Sequence, residues 1–194
     1  MADRREAILK AAASEFGAVG FSGGRVERIA RGAGVSKQLV FHYFKTKEQL
    51  YSTVVYAALS ECSATVLKRT TPVETVKCCV TSVLSTLAGS AVLRSVLADR
   101  LHGQLEPAGV SSSVDDWLQS IRSAIADAIE TGQRQGFFRD DVPSLAASDL
   151  ALSSIVGWAL VSPELTATSE AGQAQVSDFQ AFLGQSVVDF CVWR

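Results

Sequence analysis

Apolar residues recur at helical spacing along almost the whole chain, and glycines, prolines and capping residues divide them into nine predicted helices. No alternating strand pattern competes with this spacing, so the sequence predicts an all-α fold. Two short helices are expected between residues 25 and 44. Most of the longer helices are expected at about 4–19, 46–70, 72–89, 92–102, 145–160 and 174–192.

The two short helices are separated by a glycine-containing break. The first has an apolar stripe formed by Val26, Ile29, Ala30 and Ala33. Gly34 can take the left-handed conformation of a tight turn, and Ser36 is the expected N-cap of the second helix. In that helix, Gln38 and His42 point away from Val40 on a helical wheel. A short helix with an apolar back and a polar front suits the major groove, so this segment is predicted to bind DNA.

Capping residues mark the starts of two further helices. Thr46 and Gln49 form a T-x-x-Q capping box for a long helix that is expected to end near Thr70. The serines at 111–113, with two aspartates at capping-box distance, are expected to cap the seventh helix, which ends by Gly136.

Basic residues are concentrated near the N-terminus. Residues 1–50 carry nine Lys or Arg and five Asp or Glu, so this segment has a charge of +4, whereas the whole chain has a charge of −2. A basic end on an acidic body suits a protein that presents one end to phosphates and repels DNA elsewhere.

Roughly the first sixty residues resemble the DNA-binding domain of the TetR family of bacterial one-component regulators. The matching elements, in the family's order and spacing, are Ile8–Ala12, Phe16, Gly20-Phe21, Ile29-Ala30, Gly34–Lys37, His42–Phe44 and Lys47-Glu48. A later stretch, Gly136–Asp141, resembles the loop before the family's last two helices. The resemblance implies a nine-helix, two-domain fold, with a helix-turn-helix domain over 1–50 and an effector-binding and dimerisation domain over 51–194.

The resemblance and the helical wheel together imply the DNA contacts. Gln38 is expected at a base edge, and His42 at a base edge or a phosphate. The expected phosphate contacts are Ser36, Lys37, Tyr43 and Lys47. Tyr43 could instead be a packing residue, and the two lysines could be merely solvated. Leu39 and Phe41 are included as apolar contacts, but both depart from the family's usual residues, as does Gly24, which stands where a threonine usually caps the second helix.

The predicted eighth helix is apolar almost all round, so it must be buried on more than one side. The resemblance implies that the last two helices form a four-helix bundle between subunits. The expected dimer contacts are Leu152, Ile155, Val156, Ala159, Phe179, Leu183 and Val187. The sequence leaves open which apolar face meets the partner and which meets the core of the protomer.

Polar or bulky residues on the middle helices are candidates for an effector pocket, although each could equally be a core residue. They are Cys62, Thr86, His102, Trp117, Ser120 and Trp158. A pocket of this composition favours a hydrophobic or aromatic small molecule. An inward-facing Arg94, Arg100 or Arg122 would instead favour a carboxylate.

Catalytic, metal and cofactor chemistry is not expected. The chain has no G-x-S-x-G, P-loop or H-E-x-x-H motif, its four cysteines lack C-x-x-C spacing, and it has two histidines. No targeting or membrane-spanning segment is predicted, which favours a cytoplasmic protein with reduced thiols.

The predicted function is a homodimeric, ligand-responsive transcriptional regulator that binds a palindromic operator, with repression favoured and a hydrophobic effector causing release. The alternatives are a helical dimeric enzyme and an adaptor whose HTH-like bundle does not read DNA.

Overall fold

The computed structural model describes residues 2–63, 71–103, 107, 109–161 and 170–192. Within these ranges the chain forms helices and no strand. The helices are α1 (Ala2–Gly23), α2 (Val26–Gly32), α3 (Lys37–Tyr43), α4 (Lys47–Ser63), α5 (Pro72–Gly89), α6 (Ala91–Leu101), α7 (Val110–Arg134), α8 (Ser144–Val161) and α9 (Glu170–Cys191). The prediction of a nine-helix, all-α fold is confirmed.

The chain divides into two compact units. The N-terminal unit comprises residues 1–60 and 90–114, and the C-terminal unit comprises residues 61–89 and 115–194. Helix α6 therefore packs with the first helices, although it follows α5 in the chain. This division describes packing, and the predicted functional boundary at residue 50 stays a prediction.

In the N-terminal unit, α1 packs closely against α2 and α6. Ile8, Ala12 and Phe16 are fully buried on its inner face. A Cβ atom added at Gly17 would lie 2.7 Å from the Cβ of Ala91, so α6 can approach α1 only because this position is a glycine. The predicted end of the first helix at Gly20 is confirmed as a break: Gly20 has the non-helical angles φ 68° and ψ −179°, and a second helical segment of α1 continues to Gly23.

Two predicted caps are confirmed, and one is wrong. Ser36 Oγ accepts the Leu39 N–H at 3.2 Å, and Thr46 Oγ1 accepts the Gln49 N–H at 3.1 Å. The serines at 111–113 do not cap α7, because that helix already begins at Val110. The hydroxyls of Ser112 and Ser113 instead donate to the Gly109 carbonyl. The expected end of α4 near Thr70 lies outside the described residues.

In the C-terminal unit, α5 packs against α8 and α9. The predicted apolar stripe of α5 is buried: Val76, Val80, Val83, Leu84 and Leu87. Polar contacts join α7 to α8, where Arg122 forms a two-pronged ion pair with Asp149 at 2.5 and 2.9 Å. The Ser148 hydroxyl also donates to the Arg122 carbonyl at 2.8 Å.

One described helix, α8, is long and apolar enough to cross a membrane by length and composition, with a mean hydropathy of 1.5 over Ser144–Val161. Helices α5 and α6 meet the same criterion only when the two are taken together. One such helix is weak evidence for a membrane span, so the expectation that the chain has no spanning segment is not contradicted. A core helix of a soluble protein has the same composition, and α8 packs against α5 and α9.

Candidate nucleic-acid interface

The predicted reading helix, α3, has one anchored face and one exposed face. Val40 and the following Phe44 are only 1% and 2% exposed, so they fix the back of the helix in the core of the N-terminal unit. Gln38 and His42 are exposed on the opposite side. The turn before α3 contains Gly34 at φ 66°, as predicted, and is closed by a hydrogen bond from the Val35 N–H to the Ala30 carbonyl at 2.9 Å.

Sequence reasoning missed Glu15, which holds the start of α2. Its carboxylate accepts the backbone N–H of Arg25, the N-cap residue of α2, at 2.9 Å, and the Nε–H of Arg28 at 2.7 Å. Burial by itself would raise the pKa of the Glu15 carboxyl, but these hydrogen bonds and charges outweigh burial and lower it. The N-cap residue of α2 makes no capping hydrogen bond with its own side chain, so a residue of α1 stabilises the N-terminus of α2 instead.

The glycine at position 24 is explained by a close contact. A Cβ atom placed there would lie 2.5 Å from Cδ1 of the buried Phe16 ring. The threonine usual in the family therefore does not fit against this ring, and Glu15 supplies an acceptor at the neighbouring residue. The one signal in the sequence was the absence of a capping side chain at Gly24.

The candidate phosphate-binding cations make contacts within the protein. Lys37 Nζ lies 2.5 Å from Glu27 Oε1 and 5.7 Å from the centre of the Phe41 ring. Lys47 Nζ lies 4.5 Å from the centre of the Phe21 ring. The hydrogen bond and charge of Lys37 lower the pKa of the Glu27 carboxyl. Both lysines are held near α3, but each can turn towards an added anion.

All eight predicted DNA contacts lie on α3 or beside it. Ser36 caps the helix, and Lys47 is the first residue of α4. Leu39, Phe41 and Tyr43 are half-buried, and the Tyr43 ring meets the His42 ring edge-on at 5.6 Å between centres. The structure thus places these residues along α3 and at its two ends, and their roles on DNA stay predictions.

The candidate effector residues are distributed over both units. His102, in the N-terminal unit, is exposed, and its Nδ1 lies 2.7 Å from the Ala98 carbonyl at the end of α6. In the C-terminal unit, the Thr86 and Ser120 hydroxyls donate to carbonyls of their own helices. The Trp158 ring stacks on Phe179 at 4.6 Å between centres. The side chain of Cys62 lies outside the described residues.

Trp117 differs from the other candidates. Its side chain is 5% exposed, and no residue that the structure describes offers a hydrogen-bond partner to its buried indole Nε1. Buried polar groups are normally paired, so an unpaired indole N–H is a position where an added acceptor would gain a hydrogen bond.

The three arginines considered for an anionic effector are in different environments. Arg100 donates to the Ser111 carbonyl at 2.9 Å, and Arg122 is paired with Asp149. Arg94 is half-buried on α6, and this burial lowers the pKa of its guanidinium group.

The predicted dimer contacts mostly face inward. Ile155 and Ala159 are completely buried within the protomer, and Leu152, Leu183 and Val187 are less than a tenth exposed. Val156 and Phe179 are half-buried. The same two helices carry a different set of exposed residues, which forms one stripe on α8 and one on α9: Leu150, Ser153, Gly157 and Val161, and Phe182 and Phe190.

Comparison with known proteins identifies the family. The sequence model described as "Bacterial regulatory proteins, tetR family" matches residues 8–54. Over 147 residues the chain is 31% identical to the HTH-type transcriptional repressor NicS of Pseudomonas putida, a match that covers 73% of this chain and 69% of NicS. The chain belongs to the TetR family.

Two other comparisons differ in how much of the chain they cover. RutR of Escherichia coli is 48% identical over 52 residues, a match that covers 27% of this chain and 24% of RutR. The crystal structure of AibR in complex with isovaleryl coenzyme A and operator DNA has a TM-score of 0.73 at 20% identity, and covers 94% of this chain and 97% of AibR. The whole fold is thus shared with TetR-family structures, while the stronger local identity lies in a short segment.

Family membership confirms the predicted general function. The protein is a DNA-binding transcriptional regulator, as are the relatives to which it is similar. TetR-family regulators bind operator DNA and small-molecule effectors, typically as dimers.

Proposed function

We propose that this regulator represses transcription as a homodimer bound to a palindromic operator, and that a small, mostly apolar effector releases it. The observation that carries the proposal is the surface of α3, where Gln38 and His42 are exposed opposite the buried Val40. Two such helices would lie about one DNA turn apart, ~34–36 Å, so that each enters the major groove of one half-site.

On each half-site, we assign base contacts to Gln38 and His42. An amide side chain can form two hydrogen bonds with adenine, and an imidazole can donate to or accept from a base edge. Phosphates would be contacted by Ser36, Lys37, Tyr43 and Lys47, which flank the exposed face of α3. Leu39 and Phe41 would make apolar contacts at the edges of this face.

The proposed dimer interface uses the exposed stripe of α8 and α9. Val161 and Phe182 are 83% and 66% exposed, which is unusual for large apolar side chains. Ser153 and Gly157 lie on the same face of α8, where their small side chains allow a partner helix to approach closely. We therefore assign the interface to this stripe and not to the five predicted contact residues that are buried inside the protomer, Leu152, Ile155, Ala159, Leu183 and Val187.

The effector is proposed to bind in the C-terminal unit and to accept a hydrogen bond from Trp117 Nε1. The unpaired, buried indole N–H supports this assignment. AibR, which has the same fold, is complexed with both isovaleryl coenzyme A and operator DNA, so a single fold can carry both kinds of ligand. The effector can shift DNA binding only by its differential affinity for the two states, typically ~1–3 kcal/mol.

The effector class can be tested by thermal-shift screening against a chemically mixed library, since a ligand that binds only the folded state raises its stability. Apolar or aromatic hits should raise the melting temperature of the wild type more than that of Trp117→Phe, which keeps an aromatic side chain, although a smaller one, and removes the donor. If only divalent metals or polar anions raised the melting temperature, the proposal would be contradicted. If every stabilising compound were a carboxylate, Arg94 would be the candidate residue for binding it.

DNA binding can be tested by a salt-dependent shift assay on fragments upstream of the protein's own gene. Each phosphate contact should contribute about −0.9 to the slope of log K against log salt, so Lys47→Ala should weaken binding to every duplex and flatten the slope. Lys77→Ala, in the C-terminal unit, is the matched control. We propose that the protein is a non-enzymatic regulator that acts in the cytoplasm. If it bound none of the fragments, an adaptor or an enzyme would be favoured instead.

A further inference from the structure

An acidic residue lies beside the proposed DNA-binding surface and is already paired with one of its cations. Glu27 Oε1, in the first turn of α2, lies 2.5 Å from the ammonium group of Lys37, the first residue of α3. We propose that Glu27 is a specificity-determining residue, which keeps Lys37 from binding phosphates on random DNA and releases it on the operator. This inference rests on the proposed phosphate contact of Lys37.

The buried core fixes the two helices that carry the pair, whereas the two side chains themselves are exposed to solvent. The buried Ile29 and Val40 anchor α2 and α3, and the turn between them is closed by the Val35 N–H bond to Ala30. The backbones that carry Glu27 and Lys37 therefore keep a constant separation. The side chains themselves are 59% and 51% exposed, so solvent screens the pair and a DNA phosphate can displace it.

The consequence differs between the two kinds of DNA. Binding to random DNA is almost wholly electrostatic, so a lysine neutralised within the protein contributes little to it. On the operator, base contacts fix the register of α3 and hold one phosphate beside Lys37, which favours exchange of the carboxylate for the phosphate. Glu27 thus lowers the affinity for random DNA more than the affinity for the operator.

The test compares Glu27→Gln, Lys37→Gln and the double variant on two labelled duplexes of equal length. One duplex is the tightest sequence that the wild type selects from a random pool, and the other is a random sequence. Glu6→Gln is the matched control, because it makes the same change of charge on α1 of the same unit. Affinity is measured across a range of salt concentrations, and circular dichroism verifies that each variant is folded.

Glu27→Gln should bind random DNA roughly three- to tenfold more tightly than the wild type at physiological salt. The slope of log K against log salt should also become steeper, by about 0.9 for each N-terminal unit that contacts the DNA. Its affinity for the selected duplex should rise by a smaller factor, so the ratio of the two affinities falls. The gain should disappear in the double variant with Lys37→Gln, and Glu6→Gln should leave the slope at the wild-type value.

Two outcomes distinguish a failure of the proposed role of Glu27 from a failure of the proposed phosphate contact of Lys37. If Lys37→Gln lowers affinity for the selected duplex while Glu27→Gln leaves random-DNA binding unchanged, the role of Glu27 is overturned and the phosphate contact stands. If Lys37→Gln changes neither affinity nor slope on the selected duplex, the phosphate contact itself is wrong. An equal gain from Glu6→Gln would show a general charge effect and would also overturn the inference.

Discussion

The two compact units use polar side chains in different ways. In the N-terminal unit, α2 and α3 have seven residues each, and side chains such as Glu15 and Ser36 hold their ends. In the C-terminal unit, α5 and α8 have 18 residues each, and although Thr71 caps α5, hydroxyls such as those of Thr86 and Ser154 donate back to their own helix. Short helices are marginal alone and need specific contacts, whereas long apolar helices are stabilised mainly by burial.

The largest expected loss of stability comes from a substitution in the core of the C-terminal unit. Ile155 is completely buried on α8, so Ile155→Arg would place an unpaired charge in an apolar core and should cost more than about 4 kcal/mol. We expect insoluble or unfolded protein, measured by circular dichroism and solubility. The matched variant Phe182→Arg changes an exposed residue of α9 and should yield a folded protein that sediments as a monomer.

These two variants distinguish the two faces of the last helices. A soluble Ile155→Arg dimer with wild-type sedimentation would contradict the assignment of Ile155 to the core of the protomer. A Phe182→Arg dimer of unchanged stability would remove the exposed stripe from the proposed interface.

The next effect concerns a single methyl group in the N-terminal unit. Gly24→Ala would place its Cβ 2.5 Å from the buried Phe16 ring, and the resulting overpacking should cost about 1–3 kcal/mol. Gly32→Ala is the control, because its Cβ would meet only the Ala11 methyl group, at 3.4 Å. Thermal unfolding should show a lower midpoint for the first variant and an unchanged or higher one for the second. Equal midpoints would indicate that Phe16 can move aside.

A smaller effect is expected from the cap that joins α1 to α2. Glu15→Gln should destabilise the N-terminal unit at neutral pH by about 0.5–2 kcal/mol, the usual range for loss of a helix cap. The pKa of Glu15 is lowered in the folded state, so its contribution is present above the unfolded value and is lost as the pH falls through the folded value.

The difference between wild type and Glu15→Gln should therefore begin to shrink as the pH falls below the unfolded value of about 4.5, and it should vanish once the pH has fallen through the lower folded value, where the carboxyl of the folded protein becomes protonated. Urea unfolding at several pH values measures this difference. A constant difference between pH 7 and pH 3 would show that the charge of Glu15 does not matter.

Local rules predicted much of the N-terminal unit. Gly34, Ser36 and Thr46 each act on residues within a few positions, so the turn and the two caps could be read directly from the sequence. Glu15 acts on Arg25 across ten positions, and only the packing of α1 against α2 brings them together. The serines at 111–113 were predicted to cap α7, and this prediction was wrong because the helix already begins at Val110.

The apolar faces of α8 could not be assigned from sequence for a different physical reason. Apolar or small residues occupy nearly all sides of this helix, so no polar face marks the side that meets solvent or a partner. Packing against α5 and α9 decides that Ile155 faces inward and Val161 outward. The effector residues are similarly ambiguous, because an unpaired Trp117 N–H becomes visible only in three dimensions.

The central claim is that the exposed face of α3 reads DNA sequence, and the most direct test is to compare the sequences selected from a random duplex pool by the wild type and by Gln38→Ala. The variant should lose its preference at one position in each half-site, at a cost of ~1–3 kcal/mol on the preferred base, with a smaller loss on random DNA. An identical selected sequence, or equal losses on selected and random duplexes, would contradict base reading by this face.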